Sequence, residues 1–310
     1  MIIATHSGKF HADDVWAVAT LDLLHPGSTV LRSRDPARLA EADFVVDVGG
    51  EWDPARGLFD HHQKGFAAAR SSGVVYASAG LVWKTHGAAC VQEVARGLGV
   101  DPLSDRAAQD IAAAIDNDLV QYLDMSDTGA GRSAPGGYGL SAVVSGFNPN
   151  WLDEQAAGEE GADELRQQAF MRAMQFMREI IVNAVKYRVG GLLAVARVRA
   201  APRLEEGRVL LLDNASLPWS TLVRNEMPQV LFVLAYAPLE KRYMLSTVPA
   251  EADSFRARKD LPAAWAGLRG EALARVSGVA DADFCHNGRF IAAAASYEGG
   301  LALARLALSA

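Results

Sequence analysis

The sequence predicts an α/β protein, with an N-terminal parallel sheet carrying helices on both faces and a smaller C-terminal α+β domain. Three observations predict it. Strand-like and helix-like segments alternate through the first half of the chain. Strand-like runs dominate the second half until its last helices. Half of the 310 residues are hydrophobic and only 22% are charged, which is enough apolar material for about two cores.

The elements follow in order. Ile2 to Thr5 is a short apolar run that fits a buried strand. Asp13 to Leu24 carries Val15, Ala19, Leu21, Leu23 and Leu24 in a helical pattern and stops at His25-Pro26-Gly27. Thr29–Arg34 reads as a second strand and Pro36–Ala42 as a short helix. Phe44–Val48 is a third strand, ending at Gly49-Gly50. Helices are expected over Ser78–His86, Val91–Leu98 and Asp105–Leu123, and a Gly-, Ser- and Pro-rich mobile loop over Asp127–Gly139. The longest helical pattern, Ala162–Arg188, is closed by Gly190-Gly191. Beyond it, Leu192–Val198, Arg208–Leu212, Val230–Tyr236 and Arg242–Val248 read as strands, with helices over Pro262–Val276 and Gly299–Leu308. The expected division is a domain over 1–160, a connector helix over 161–190 and a second domain over 191–310.

Charge and cysteine content exclude several classes. Thirty Lys and Arg against 37 Asp and Glu leave a net charge of −7, which argues against a broad nucleic-acid-binding face but leaves room for a local basic groove. Two cysteines, Cys90 and Cys285, rule out a disulfide scaffold and suit a reducing, cytoplasmic setting. No stretch approaches 18 apolar residues, and Met1 to His6 lacks the basic and apolar regions of a signal peptide, so neither a membrane span nor a leader is expected.

Four places hold the informative polar residues. His6, His11 and Asp13 lie where the first strand meets its helix, the edge at which open α/β sheets build sites. The alternative is an N-cap cluster with Asp13 capping the helix. Asp47 interrupts an apolar strand, a costly position for a carboxylate without a partner. A hydrogen-bonded structural Asp would also fit there. Asp60-His61-His62 places an acid before two imidazoles that face opposite ways in extended chain. A surface turn with incidental histidines is the alternative. Asp116 sits on an apolar helix flank, or is a helix-terminal acid. Imidazole and carboxylate together suit Mn²⁺, Fe²⁺, Co²⁺ or Zn²⁺. The inventory suits two ions bridged by one carboxylate, an arrangement fit for phosphoryl transfer.

These residues match the pattern of the DHH phosphoesterase superfamily, and the chain resembles within it the Myg family of melanocyte-proliferating-gene homologues. The strings that carry the resemblance include Thr5-His6-Ser7-Gly8 with Phe10-His11-Ala12-Asp13, Val45-Val46-Asp47-Val48-Gly49-Gly50, Asp60-His61-His62-Gln63-Lys64 and Ser78-Ala79-Gly80-Leu81. Others are Asp116-Asn117, Asn148-Pro149-Asn150-Trp151, Trp265-Ala266-Gly267-Leu268-Arg269 and Glu298-Gly299. The resemblance implies a DHH-type catalytic domain followed by a substrate-binding domain. It implies His6, His11, Asp13, Asp47, His61 and Asp116 as metal ligands, with Asp47 bridging and Asp60 orienting His61. The resemblance implies His62 as the substrate-facing group and His286 as a phosphate contact. His62, Asp47 and Lys64 are the expected catalytic groups, and Arg34, Lys64 and His286 the expected substrate-binding ones; a local ion pair with Asp35 is the alternative for Arg34 and a solvated surface position that for Lys64. Ala292-Ala293 stand where the family carries Gly-Gly for gripping phosphate. Lys9, Arg32, Arg34, Lys64, Arg70 and Arg132 are the few basic residues expected near the edge.

The implied activity is metal-dependent phosphoesterase chemistry, a 3′–5′ exonuclease on RNA or short oligonucleotides, with metal-activated water attacking phosphorus. Mn²⁺ is the expected ion, one or two per chain, with Mg²⁺, Co²⁺, Fe²⁺ and Zn²⁺ as alternatives. The alternative functions are hydrolysis of a small phosphate compound (pyrophosphate, oligophosphate or cyclic dinucleotide) and a non-catalytic metal-binding regulatory protein. A phosphate-containing substrate is the expected partner, with no membrane, and a homodimer is left open.

Overall fold

Five strands form the first sheet: β1 (Ile2–Thr5), β2 (Thr29–Arg32), β3 (Phe44–Val46), β4 (Trp52–Asp53) and β5 (Leu58–Phe59). The computed structural model describes residues 1–131, 139–252 and 256–310. The order is β2-β1-β3-β5-β4. β1 pairs in parallel with β2 and β3, and β3 with β5, while β4 runs antiparallel to β5. The chain leaves β1 for β2 on one side and then crosses to β3 on the other. The carboxyl ends of the parallel strands beside β1 therefore flank a topological switch point.

The period of two along the strands builds two cores. Ile3 and Val46 enter the large cluster, with residues of α1 (Ala12–Leu24), α3 (Ser78–Gly97) and α7 (Trp151–Ala200). Ala4 and Val45 enter a small one on the opposite face, with Leu39 of α2 (Pro36–Leu39). The expected helices on both faces are present. In α1 every residue from Ala12 to Leu23 is buried, so it is a core helix rather than a surface one. Trp16 of α1 meets Trp83 of α3 edge-on at 5.4 Å between ring centroids. Losing such a ring typically costs about 3–5 kcal/mol.

The two helices expected over Ser78–His86 and Val91–Leu98 are one continuous α3. Gly87 does not end a helix. A Cβ there would lie 2.9 Å from the Trp83 ring, so the glycine makes room for the indole. The helix expected over Asp105–Leu123 is α4 (Asp105–Ile115), a π-helical turn (Asp116–Val120) and α5 (Gln121–Asp127) in succession, with α6 (Leu140–Ser145) after it. Of the loop expected over Asp127–Gly139, Asp127 closes α5, and residues 132–138, Arg132 among them, lie outside the described residues.

The chain divides into two units, Met1–Val189 and Gly190–Ala310. α7 is interrupted at Gly158, whose φ of 70° is not helical. The strand expected at Leu192–Val198 is helix instead. Val185, Val189, Ala194 and Val198 are buried at near-helical spacing, and Gly190-Gly191 stay in the helix rather than ending it.

The second unit holds β6 (Arg203–Leu204), β7 (Val209–Leu212), α8 (Ser220–Glu226), β8 (Phe232–Ala237), β9 (Arg242–Thr247), α9 (Gly270–Ser277), β10 (Ala282–Cys285), β11 (Ile291–Ala294) and α10 (Tyr297–Ser309). Its six-stranded sheet has the order β10-β11-β9-β8-β7-β6 and is antiparallel except for β7 beside β8. The helix expected over Pro262–Val276 begins only at Gly270. β11, the sequence Ile-Ala-Ala-Ala, has weak strand propensity. Its Ala292 and Ala293 are fully buried, and α10 packs near it through small residues. A Cβ on Gly300 would meet Leu234 at 2.8 Å, and one on Gly299 would meet Asp281 Oδ1 at 2.0 Å.

Cys90 in α3 and Cys285 in β10 are free and buried. Burial pushes the Cys90 thiol up to about 12 and the Cys285 thiol up to about 11. Thiolate is the reactive form, so the native protein at pH 8 is expected to leave a disulfide thiol reagent unconsumed. Denaturant should then release both thiols. Stoichiometric labelling of the native protein would contradict this packing.

Among the described residues, no helix is long and apolar enough to cross a membrane.

Candidate metal centre

His6 follows the carboxyl end of β1, Asp47 that of β3 and His61 closely that of β5. Three neighbouring parallel strands thus deliver imidazole, carboxylate and imidazole to one edge. Asp47 sits just past its strand rather than within it, with φ of 57°. That left-handed turn is uncommon for a residue with a side chain. It reverses the chain into Gly49 and Gly50, both also at positive φ.

Asp47 is the hub. Its Oδ2 lies 3.4 Å from His6 Nε2, and its Oδ1 lies 3.3 Å from His61 Nε2 and 3.5 Å from His62 Nδ1. Ser78 Oγ, at the start of α3, donates to Oδ1 at 3.0 Å. Burial would raise this carboxyl, but the contacts from His6 and His61 outweigh it and hold Asp47 well below the usual carboxylate range.

His6 Nδ1 donates to the Ser7 carbonyl at 3.0 Å, because a carbonyl can only accept. That bond orients the ring with Nε2 toward the acids: Asp14 Oδ2 stands 3.3 Å from it. Burial lowers His6, yet Asp47 and Asp14 together raise it above the ordinary imidazole value. Asp14 itself is pushed up to about 7, by burial first. Its other oxygen accepts from the His11 backbone N–H at 2.9 Å, so the residue at the N-cap of α1 is His11 and not Asp13.

Asp13 is buried, and neither of its carboxylate oxygens has a hydrogen-bond partner. Burial, then the charge of Asp47, raises its carboxyl well above the ordinary value. Two orphaned oxygens of this kind are costly unless something cationic meets them. The His11 side chain is 62% exposed, at the rim.

His61 Nε2 lies 3.1 Å from Asp127 Oδ2, and His11 Nδ1 lies 3.7 Å from Asp127 Oδ1. Burial lowers His61, but Asp127 and Asp47 outweigh it and raise the imidazole to about 10. Three sets of side chains offer donor atoms within 4.8 Å of one another: His6, His11 and Asp47; Asp47, His61 and His62; His11, Asp13 and Asp127. Asp47 is common to two sets and His11 to two. The mixture of imidazole nitrogen and carboxylate oxygen fits a first-row divalent ion.

The structure departs from three sequence expectations. His61 and His62 do not face opposite ways: both rings approach Asp47 Oδ1, with their centroids 4.2 Å apart. Asp116 is not in this cluster. Arg70 grips both of its oxygens, at 2.7 and 2.6 Å, and Asp127, eleven residues on, stands beside His61 instead. Asp60 orients His62 rather than His61. Its Oδ1 accepts from the His62 backbone N–H at 3.0 Å and meets His62 Nδ1 at 2.8 Å, the short-range turn that an Asp makes two residues on. Its Oδ2 accepts from Gly50 N–H at 2.6 Å.

The remaining candidates make none of the described contacts with Asp47. Lys64, Arg34 and Lys9 are exposed. The neighbour of Arg34, Asp35, caps α2 by accepting from Ala37 N–H at 3.0 Å. Arg32 is held by the Gly8 carbonyl at 2.6 Å and lies over the Phe10 and Phe170 rings. His286 belongs to the second unit, is exposed, and accepts from Gly288 N–H at 2.9 Å between β10 and β11.

Sequence reasoning missed Asp14, Ser78 and Asp127. Asp127 carried no usable signal: an unbroken helix of eleven residues would set it roughly under Asp116, and the π turn between them rotates it to a different face.

Residues 2–308 match the model of the MYG1 exonuclease family, described as an uncharacterised protein family, UPF0160. The human protein named MYG1 exonuclease is 32% identical over 333 residues, covering 99% of this chain and 85% of that one. A Caenorhabditis elegans MYG1 protein is 31% identical, covering 99% of this chain and 95% of its own. Thermus thermophilus RecJ in complex with Mn²⁺ is a distant structural match, with 15% identity, a TM-score of 0.26, and cover of 99% of this chain and 52% of that one.

Proposed function

The chain belongs to the MYG1 exonuclease family, and on that premise we propose that it is a metal-dependent phosphoesterase that removes nucleotides from RNA or short oligonucleotides in the 3′–5′ direction. The observation that carries the reading is Asp47, one carboxylate shared by two sets of ligating atoms. His6, His11, Asp13, Asp47 and His61 would hold the ions, with Asp127 in the place expected of Asp116. Mn²⁺ is the proposed ion, one or two per chain, on the balance of imidazole and carboxylate donors. When bound, such ions polarise phosphoryl oxygens and acidify water.

The chain's own groups do the rest. Asp47 stays ionised through the neutral range and offsets cationic charge at the centre. His62 is held at Nδ1 by Asp60, which leaves Nε2 turned to the substrate. Its side chain is 61% exposed, as a substrate-facing group must be. Lys64, two residues on, Arg34 and His286 are proposed phosphate contacts. The net charge of −7 favours a short substrate over a long polyanion, so pyrophosphate, an oligophosphate or a cyclic dinucleotide is the second reading. A cytoplasmic setting belongs to the same proposal, on the two free buried thiols.

The test uses purified protein with Mn²⁺ and RNA labelled at either end, beside Asp47→Ala. Stepwise loss from the 3′ end is expected, with the variant at least about 100-fold slower, since even groups that merely support metal ligands cost 10–100-fold. Equal turnover by both proteins would exclude the mechanism. Turnover confined to small phosphates would select the second reading.

A further inference from the structure

The ion cluster around Arg70 stands beside the proposed metal centre and is not used by it. Arg70 lies in the segment between His62 and α3, in a small turn where its N–H donates to the Val74 carbonyl and Ala69 bridges Val75. Its guanidinium grips Asp116 at both oxygens and pairs with Asp124 Oδ2 at 2.7 Å. Its carbon centre lies 4.2 Å from the Tyr76 ring centroid. The side chain is only 7% exposed, and that of Asp124 is fully buried. Asp124 Oδ1 also accepts from Gly80 N–H, in the first turn of α3, at 3.0 Å. Gly80 admits the cluster because it lacks a side chain. A Cβ there would lie 2.0 Å from Asp124 Oδ2 and 2.6 Å from Arg70 Nη2.

The two acids are placed to matter for the helix. Asp116 is the first residue of the π-helical turn Asp116–Val120, and Asp124 lies beyond it in α5. A π turn inserts one residue, which rotates everything after it by about 100° relative to an unbroken α-helix. Asp127, three residues past Asp124, is therefore aimed at His61 and His11 only while that insertion is kept. Arg70 pairs with acids on both sides of the insertion at once, hydrogen-bonded to Asp116 and ion-paired with Asp124.

We propose that Arg70 is a positioning residue. By clamping Asp116 and Asp124 across the π turn, it holds the helical register that brings Asp127 to the metal centre. This inference rests on the metal-site reading above, and it assigns Asp116 a structural partner in place of a metal.

Mn²⁺ titration of the full chain, followed by electron paramagnetic resonance, tests it with wild type, His61→Ala, Arg70→Met and Asp116→Asn. Circular dichroism of each metal-free protein checks folding. Wild type should bind Mn²⁺, and His61→Ala should lose most of that binding. Arg70→Met should weaken the Mn²⁺ affinity by about 10-fold, as loss of a ligand's support does. Asp116→Asn keeps the Arg70–Asp124 pair and so guards against simple misfolding. It should weaken binding in the same direction, and the double variant should lose no more than the worse single one. Were Asp116 itself a ligand held off by Arg70, Arg70→Met would tighten binding and Asp116→Asn would match His61→Ala. Either result, or wild-type affinity in both variants, overturns the inference and leaves the site reading standing. Failure of wild type to bind Mn²⁺ overturns both.

Discussion

Replacing Asp127 with Ala is expected to cost Mn²⁺-dependent hydrolysis as much as replacing His61, at least about 100-fold. Asp127 stands 3.1 Å from His61 Nε2 and shares a ligating set with His11 and Asp13, and its side chain is only 14% exposed. Its removal takes a carboxylate from the centre and releases His61 from the contact that most raises its proton affinity. Asp118→Ala is the control. That acid is half-exposed and pairs with Arg188 at 2.5 Å, so its loss should shift stability by no more than about 0.5 kcal/mol and leave turnover intact. Initial rates on labelled oligonucleotide at saturating Mn²⁺ decide the matter. Full activity in Asp127→Ala would remove this residue from the centre.

Asp13→Asn should make the metal-free protein more stable while abolishing its response to metal. Asp13 is buried with both oxygens unpartnered, among Asp14, Asp47 and Asp127. Burial and those charges raise its carboxyl above the ordinary value of 3.8. A carboxyl raised on folding favours the native state fully at pH below its unfolded value, and that contribution is lost as pH rises through the folded one. That loss begins as soon as pH exceeds the ordinary value of 3.8, so at pH 8 the wild type has given up part of it, whereas Asn carries no proton to lose. In EDTA at pH 8 the variant should therefore gain about 1 kcal/mol, a typical return from relieving a functional site, and the gain should shrink on acidification. Mn²⁺ at 100 times its Kd should add about 2.7 kcal/mol to wild type and almost nothing to the variant. Melting curves in EDTA and in Mn²⁺ give all four values. A metal-free variant that melts below wild type would mean that Asp13 is satisfied in a way this geometry does not contain.

Strand positions and most of the side chains gathered at the candidate centre were legible because each depended on local pattern. Ile2–Thr5 and Phe44–Val46 are short apolar runs, and His6 and Asp47 stand just beyond them. What was not legible depended on partners distant in sequence. Asp127 reads as the first residue of a loop and Asp116 as the helix acid, and it is Arg70, 46 residues before Asp116, that draws Asp116 away from the cluster. The π turn between them carries no propensity signal, since it is held by tertiary contacts. Gly87 and Gly190-Gly191 read as helix ends, yet the ring of Trp83 and the buried stripe through Val198 keep those residues helical. Asp60 pointed to the wrong histidine because a two-residue turn outcompetes the reach to its immediate neighbour.

The left-handed backbone at Asp47 bears on how such a centre decays. Glycine would suit that φ better than any acid, by about 1 kcal/mol, and a single-base change in an Asp codon produces it. The hub of the cluster is thus the position where drift runs downhill in conformational energy. Descendants released from selection for hydrolysis would be expected to carry glycine there early, with the surrounding histidines outlasting the acid that once joined them.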